Sequence, residues 1–257
     1  MKKSLIALLF GILLLNPISQ AFAQEYEDLL VLLVDEKYEK CLDKAEKYTD
    51  KDETKNDPLP YLYAAQALFA MSQDHQYIED YPKAYKECLT WIGKYRKKDK
   101  AYTYRTDAEP FIEELKGIIL EEVDNYLLEA SEKSYKKALS LMKKVTKMDP
   151  DCGGSMLLRG ELEVLNKNKS EGKDMVVEGF DMINKVGTDI QFDDLTLTQQ
   201  KYMKYSLMFS AKLVKEKDLA RAREIIAIGQ PYFGEERDDC KIEDNSDFNK
   251  LYKEITG

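Results

Sequence analysis

Apolar residues recur along this chain at steps of three and four, the spacing that places them on one face of an α-helix. Leu29, Leu33, Tyr38, Cys41, Leu42, Ala45 and Tyr48 follow that rhythm and predict a helical N-terminal region. Thr49 to Asp57, TDKDETKND, has no apolar residue and reads as a solvated loop stopped by Pro58 and Pro60. Tyr61 to Met71, YLYAAQALFAM, is apolar and alanine-rich, the composition of a helix that neighbours can approach closely. Its partner is predicted over Tyr81 to Tyr95, with Pro82 in the first turn and a linker, Ser72 to Asp80, between the two.

A long helix follows. Thr106-Asp107-Ala108-Glu109 has the spacing of a capping box, Pro110 fits an opening turn, and the periodicity continues to about Ala130. After a turn at Glu132 to Ser134, a helix over Tyr135 to Met148 is stopped by Asp149-Pro150. Further helices are expected over Ser155 to Leu165 and Gly172 to Lys185, with the Gly153-Gly154 pair read as a turn. Then comes a loop to Leu197, where Thr196 and Gln199 form a second capping box. A last pair is expected in KYMKYSLMFSAKLVKEK and DLARAREIIAIGQPYF, with Leu219, Ala222, Ile225 and Ile226 as a buried stripe. Beyond the acidic run Glu235 to Asp247, a short helix over Asp247 to Ile255 covers the last apolar face.

SYKKALSLMKKVTKMDP, Ser134 to Pro150, has a Tyr three residues before Ala138 and a Pro twelve residues after it. Together with MLLRGELEV and DLARAREIIAIG it resembles the tetratricopeptide repeat family over about 34–233, with Gln24 to Tyr48 as a degenerate first unit. Ala138 to Gly172 spans 34 residues, the family period, and Ala84, Gly160, Gly172, Ser210 and Ala222 take the small packing positions. The resemblance implies an all-α fold, a right-handed alpha-alpha superhelix of TPR-like hairpins. About four to five helix pairs and a capping helix are expected over 24–257. It also implies a concave face, lined by first helices, holding a peptide or partner domain, in a protein that is not an enzyme. The loops after Tyr48, Met71 and Tyr95 are longer than the motif allows.

The first 23 residues change the picture of where this happens. Lys2-Lys3, the apolar run Leu5 to Leu15 and Ala21-Phe22-Ala23 have the order of a secretory signal peptide. An exported protein, periplasmic or secreted, is expected, with no transmembrane segment after cleavage. No Cys follows the cut to take a lipid, so membrane association would be peripheral, through an outer-membrane complex. Losing Lys2 and Lys3 takes the formal charge from −9 to −11, which disfavours nucleic acid as a partner. Cys41 and Cys88 fall on packed helix faces and are expected as buried thiols; Cys152 and Cys240 are the pair if a disulfide forms.

Candidate chemistry is sparse. Lys94 to Thr106, KYRKKDKAYTYRT, interleaves cations with aromatics, a pattern that either grips an anionic polymer or complements a helix C-terminus. Six aromatics, Tyr61, Tyr63, Trp91, Tyr95, Tyr102 and Tyr104, are the candidate partner-binding surface; as stacking platforms they would suit a glycan or small-ligand carrier. His75, the one histidine, is expected in a solvated loop. No phosphate loop, zinc-ligand pair or calcium loop occurs in the sequence, so no cofactor or metal is expected. Glu161 is the acid to test for a muramidase-like hydrolase, the remote alternative. The principal expectation is a non-catalytic scaffold that binds a protein or peptide partner in the cell envelope.

Overall fold

The computed structural model describes residues 26–234 and 237–257. The signal-peptide reading, the start of the mature chain, and Glu235 with Glu236 of the acidic run lie outside the described residues. Among the described residues the chain is all-α, with eleven α-helices and no strand. They are α1 (Glu27–Val34), α2 (Tyr38–Asp50), α3 (Leu59–Gln73), α4 (Ala84–Lys98), α5 (Arg105–Glu129), α6 (Glu132–Met148), α7 (Gly153–Leu165), α8 (Lys169–Asn184), α9 (Leu197–Lys215), α10 (Leu219–Phe233) and α11 (Ser246–Thr256). Each of α3–α4, α5–α6, α7–α8 and α9–α10 packs as a pair, and no described helix is long and apolar enough to cross a membrane.

All six small positions, Ala84, Ala138, Gly160, Gly172, Ser210 and Ala222, are buried. The reason is clearest between α7 and α8. A Cβ on Gly160 would stand 2.7 Å from the Val176 backbone nitrogen, and one on Gly172 would stand 2.7 Å from the Val164 nitrogen. Only hydrogen fits where two backbones run that close.

Several boundaries differ from the sequence reading. The N-terminal periodicity is split into α1 and α2, because Glu36 adopts a left-handed φ of 58°. Pro82 precedes α4 rather than opening it. Thr106 does not cap α5; the helix has already begun at Arg105, and Pro110 lies inside it. Glu109 is drawn to Arg96 instead of back to Thr106, and the Asp99 carboxylate takes the Thr103 and Tyr104 N–H groups at 2.7 and 3.1 Å. Glu132 to Ser134 are the first turn of α6, with Ser131 and Ser134 capping each other reciprocally. Gly153-Gly154 belong to the first turn of α7, and Leu219 is 43% exposed rather than part of the buried stripe. The end of α5 and the Thr196–Gln199 capping box stand where the sequence placed them.

The buried apolar residues form two clusters. One gathers α1 to α6 with Leu158, Leu162 and Tyr202; the other gathers Leu157, Met203 and the faces of α8, α10 and α11. Helices α7 and α9 therefore serve both. Phe248, Leu251 and Ile255 of α11 close the second cluster.

Candidate functional site

A polar knot joins α5, the α6–α7 turn and the start of α9. Lys116, fully buried, lies on the apolar stripe Ile112, Ile119 and Val123 and places its ammonium 2.6 Å from Asp149 and against Glu113. Gln199 completes its capping box while donating to Asp149 at 3.1 Å. Glu113 accepts from the Thr196 and Thr198 hydroxyls, both at 2.8 Å, and so sits at the positive end of α9. Burial alone would lower Lys116 and raise Glu113. The opposite charges and hydroxyls outweigh it, holding the ammonium above its ordinary value and the Glu113 carboxyl below its own. These charges satisfy one another and hold helices together.

The basic–aromatic stretch divides in two. Its inner part is structural. Buried Arg96 donates Nε to the Met148 carbonyl at 3.0 Å, pairs with Glu109, and stacks its guanidinium 4.1 Å from the Tyr102 ring centre. Tyr102 itself has a left-handed φ of 56° and donates its hydroxyl to Asp151. Tyr95 is fully buried and donates to Asp99 at 2.7 Å. Tyr61 is also buried, against Trp91, whereas Tyr63, Trp91, Tyr102 and Tyr104 are half-buried. The six aromatics do not form one open face: two are core, and Tyr102 belongs to the Arg96 assembly.

The outer part lies on a groove between α4 and α6. These two helices run parallel, with Lys144 donating to the Thr90 hydroxyl at 2.9 Å and Gly93 opposite Lys147. The groove encloses about 470 Å³, has Leu89, Gly93 and Pro150 in its floor, and carries Lys94, Lys97, Lys100, Lys144 and Lys147 on its walls. Lys86 stands close enough to Lys144 to act on its charge. Among the described residues none of these six lysines forms an ion pair. Burial pushes the Lys144 ammonium below its ordinary value, and Lys147 and Lys86 push it further. Sequence reading found only the α4 half of the groove. Lys144 and Lys147 had a signal, their three-residue spacing on α6, but nothing local shows that α6 lies beside α4.

A second recess, about 260 Å³, opens at the start of α7 beneath the loop that joins α8 to α9. Met182, Ile183, Val186, Ile190, Leu195 and Met203 make it largely apolar, and Asp151, Lys185 and Gln199 add polar atoms. None of the six candidate aromatics lines it.

The remaining candidates are dispersed. Glu161 is half-buried on α7; burial pushes its carboxyl up, against a smaller pull from the Ser210 hydroxyl. His75 is exposed in a short 3-10 turn. All four cysteines are free; Cys152 is buried in the turn before α7, its thiol pushed up to about 12 by burial. Among the described residues no group of His, Cys, Asp and Glu is arranged to hold a metal ion. Compared with protein-family models, curated proteins and solved structures, the chain matches none.

Proposed function

We propose that this chain is a non-catalytic scaffold that docks a partner protein, acting after export in the cell envelope. One observation carries the reading: a row of lysines that form no ion pair among the described residues lines a groove in a chain whose formal net charge is −9. Like charges held together cost free energy, and a stretch that accumulates them where acids are abundant is suited to an external anionic surface. The parallel α4 and α6, the four packed pairs and the buried small positions support stacking of the pairs as a right-handed superhelix of tetratricopeptide type. In that reading the groove lies on the second helices of two neighbouring pairs, α4 and α6, and not on the first-helix concave face that the resemblance implies.

The test is site-specific photo-crosslinking from Lys97 and Lys147, with Lys212 on α9 as a control, in envelope preparations of the source cell. A single protein joined from both groove positions and absent from the control is the expected result. No adduct from any position would refute the scaffold.

The apolar recess favours a second reading, carriage of a small apolar ligand. A hydrophobic dye displaced by Met203→Trp, which fills the recess, would favour it over protein docking.

A further inference from the structure

We infer that the α4/α6 groove binds an extended, carboxylate-rich polypeptide segment about five residues long. The inference rests on the scaffold reading and supplies the chemistry of the partner.

Three features of the groove set that chemistry. Its cations are lysines, flexible point charges without the fixed fork that favours bidentate phosphate recognition. The one arginine of its lining, Arg96, is turned inward to Met148 and Glu109. Carboxylates spaced along a backbone need only charge density, which a row of lysines supplies. The floor is apolar at Leu89, Gly93 and Pro150, so a segment can lay aliphatic stems against it while its charged heads reach the walls.

Length follows from helix geometry. From Leu89 to Lys100, the first and last lining residues on the α4 side, the chain advances about 16 Å at roughly 1.5 Å per residue. An extended chain covers that distance in about five residues. At Gly93 the two helices come into contact, since an added Cβ would meet Lys147 Cβ at 3.5 Å, so a bound segment lies over the seam between α4 and α6. Glu46 feels the charge of Lys94 without forming an ion pair with it, and among the described residues no acid pairs with the wall lysines.

The groove carries its own reporter. Lys94 stands 4.3 Å above the ring centre of Trp91, the single tryptophan, and a bound carboxylate would draw that ammonium away.

The experiment titrates the full mature chain with hexaglutamate and reads Trp91 emission and the anisotropy of a labelled peptide. Saturable binding is expected, weakened by raising NaCl from ~50 to ~200 mM. It should fall at least about tenfold in Lys97→Glu/Lys144→Glu/Lys147→Glu and stay unchanged in Lys212→Glu. If the triple variant misfolds by circular dichroism, Lys97→Ala/Lys147→Ala serves in its place, with a loss of several-fold. Absence of binding, or binding indifferent to both groove variants, overturns the proposal. Tighter binding of polyphosphate in the same assay also overturns it, in favour of a phosphate polymer. A partner crosslinked from Lys97 and Lys147 without any hexaglutamate binding removes the acidic segment and leaves the scaffold standing.

Discussion

Lys116 shows what a buried charge does in this fold. It occupies a core position of the α5 stripe, and its three companions, Glu113, Asp149 and Gln199, come from α5, the α6–α7 turn and α9. Replacing it with Met leaves Asp149 buried without its cation, a loss of about 3–5 kcal/mol that urea denaturation would measure. Glu113 adds a pH signature. Its carboxyl is held below its ordinary value of 4.5, so it contributes stability above that value that is lost as pH falls toward the folded-state value. Glu113→Gln should therefore lower stability at pH 7 and shrink the difference from wild type in acid. Glu161 has the opposite sign. Burial raises its carboxyl, so folding is favoured below pH 4.5 and the favourable contribution is lost as pH rises. Glu161→Gln should raise the Tm at pH 7 and leave it unchanged near pH 4. A carboxyl active in hydrolysis would instead reveal itself by activity lost in the same variant. Little of this was legible in the sequence beforehand. Lys116 could have been noticed as a charge on an apolar stripe with Glu113 three residues before it, but its other two companions lie 33 and 83 residues away.

At the scale of elements, glycine has two meanings in this chain. Gly179 lies against α7, where a Cβ would stand 2.5 Å from the Leu157 backbone nitrogen; Gly117, in the middle of α5, has nothing within 4 Å. Gly179→Ala should cost about 1–3 kcal/mol by forcing two backbones apart. Gly117→Ala should stabilise by about 0.5–1 kcal/mol, because it restricts the unfolded chain and disturbs no neighbour. Thermal melts of the pair would show shifts of opposite sign. The helices themselves were readable from periodicity, and the Thr196–Gln199 box marked the start of α9 to the residue. The Thr106–Glu109 pattern has the same spacing and fails. Its glutamate finds a buried guanidinium, Arg96, which outcompetes a reach back to the helix N-terminus. Spacing identifies the side chains able to cap; tertiary partners decide whether they do.

For the whole molecule, the spacing of the small packing positions located the packed faces, while the order of helices in space is set by contacts between distant segments. The direct contact of α5 with α9 and the parallel course of α4 and α6 leave no mark in local sequence. The groove was half legible for that reason: one wall stands in a conspicuous basic run and the other is contributed by residues 54 positions away. The terminal helix tests how the second apolar cluster is sealed. Deleting 246–257 uncovers the side facing Phe248, Leu251 and Ile255, a loss of roughly 5 kcal/mol or more from three large side chains. The shortened chain should bind a hydrophobic dye and associate at micromolar concentration, read by light scattering.

Helix α7 turns Leu157 into one apolar cluster and Leu158 and Leu162 into the other. A helix shared in that way cannot open for one cluster without disturbing its neighbour, so the amide hydrogens of α7 should exchange only through global unfolding. The chain should also resist division there: fragments cut between α6 and α7, or between α7 and α8, would each lack one wall of a cluster and regain order only on recombination. Exchange of α7 amides as fast as those of α1 would show that the two clusters open independently.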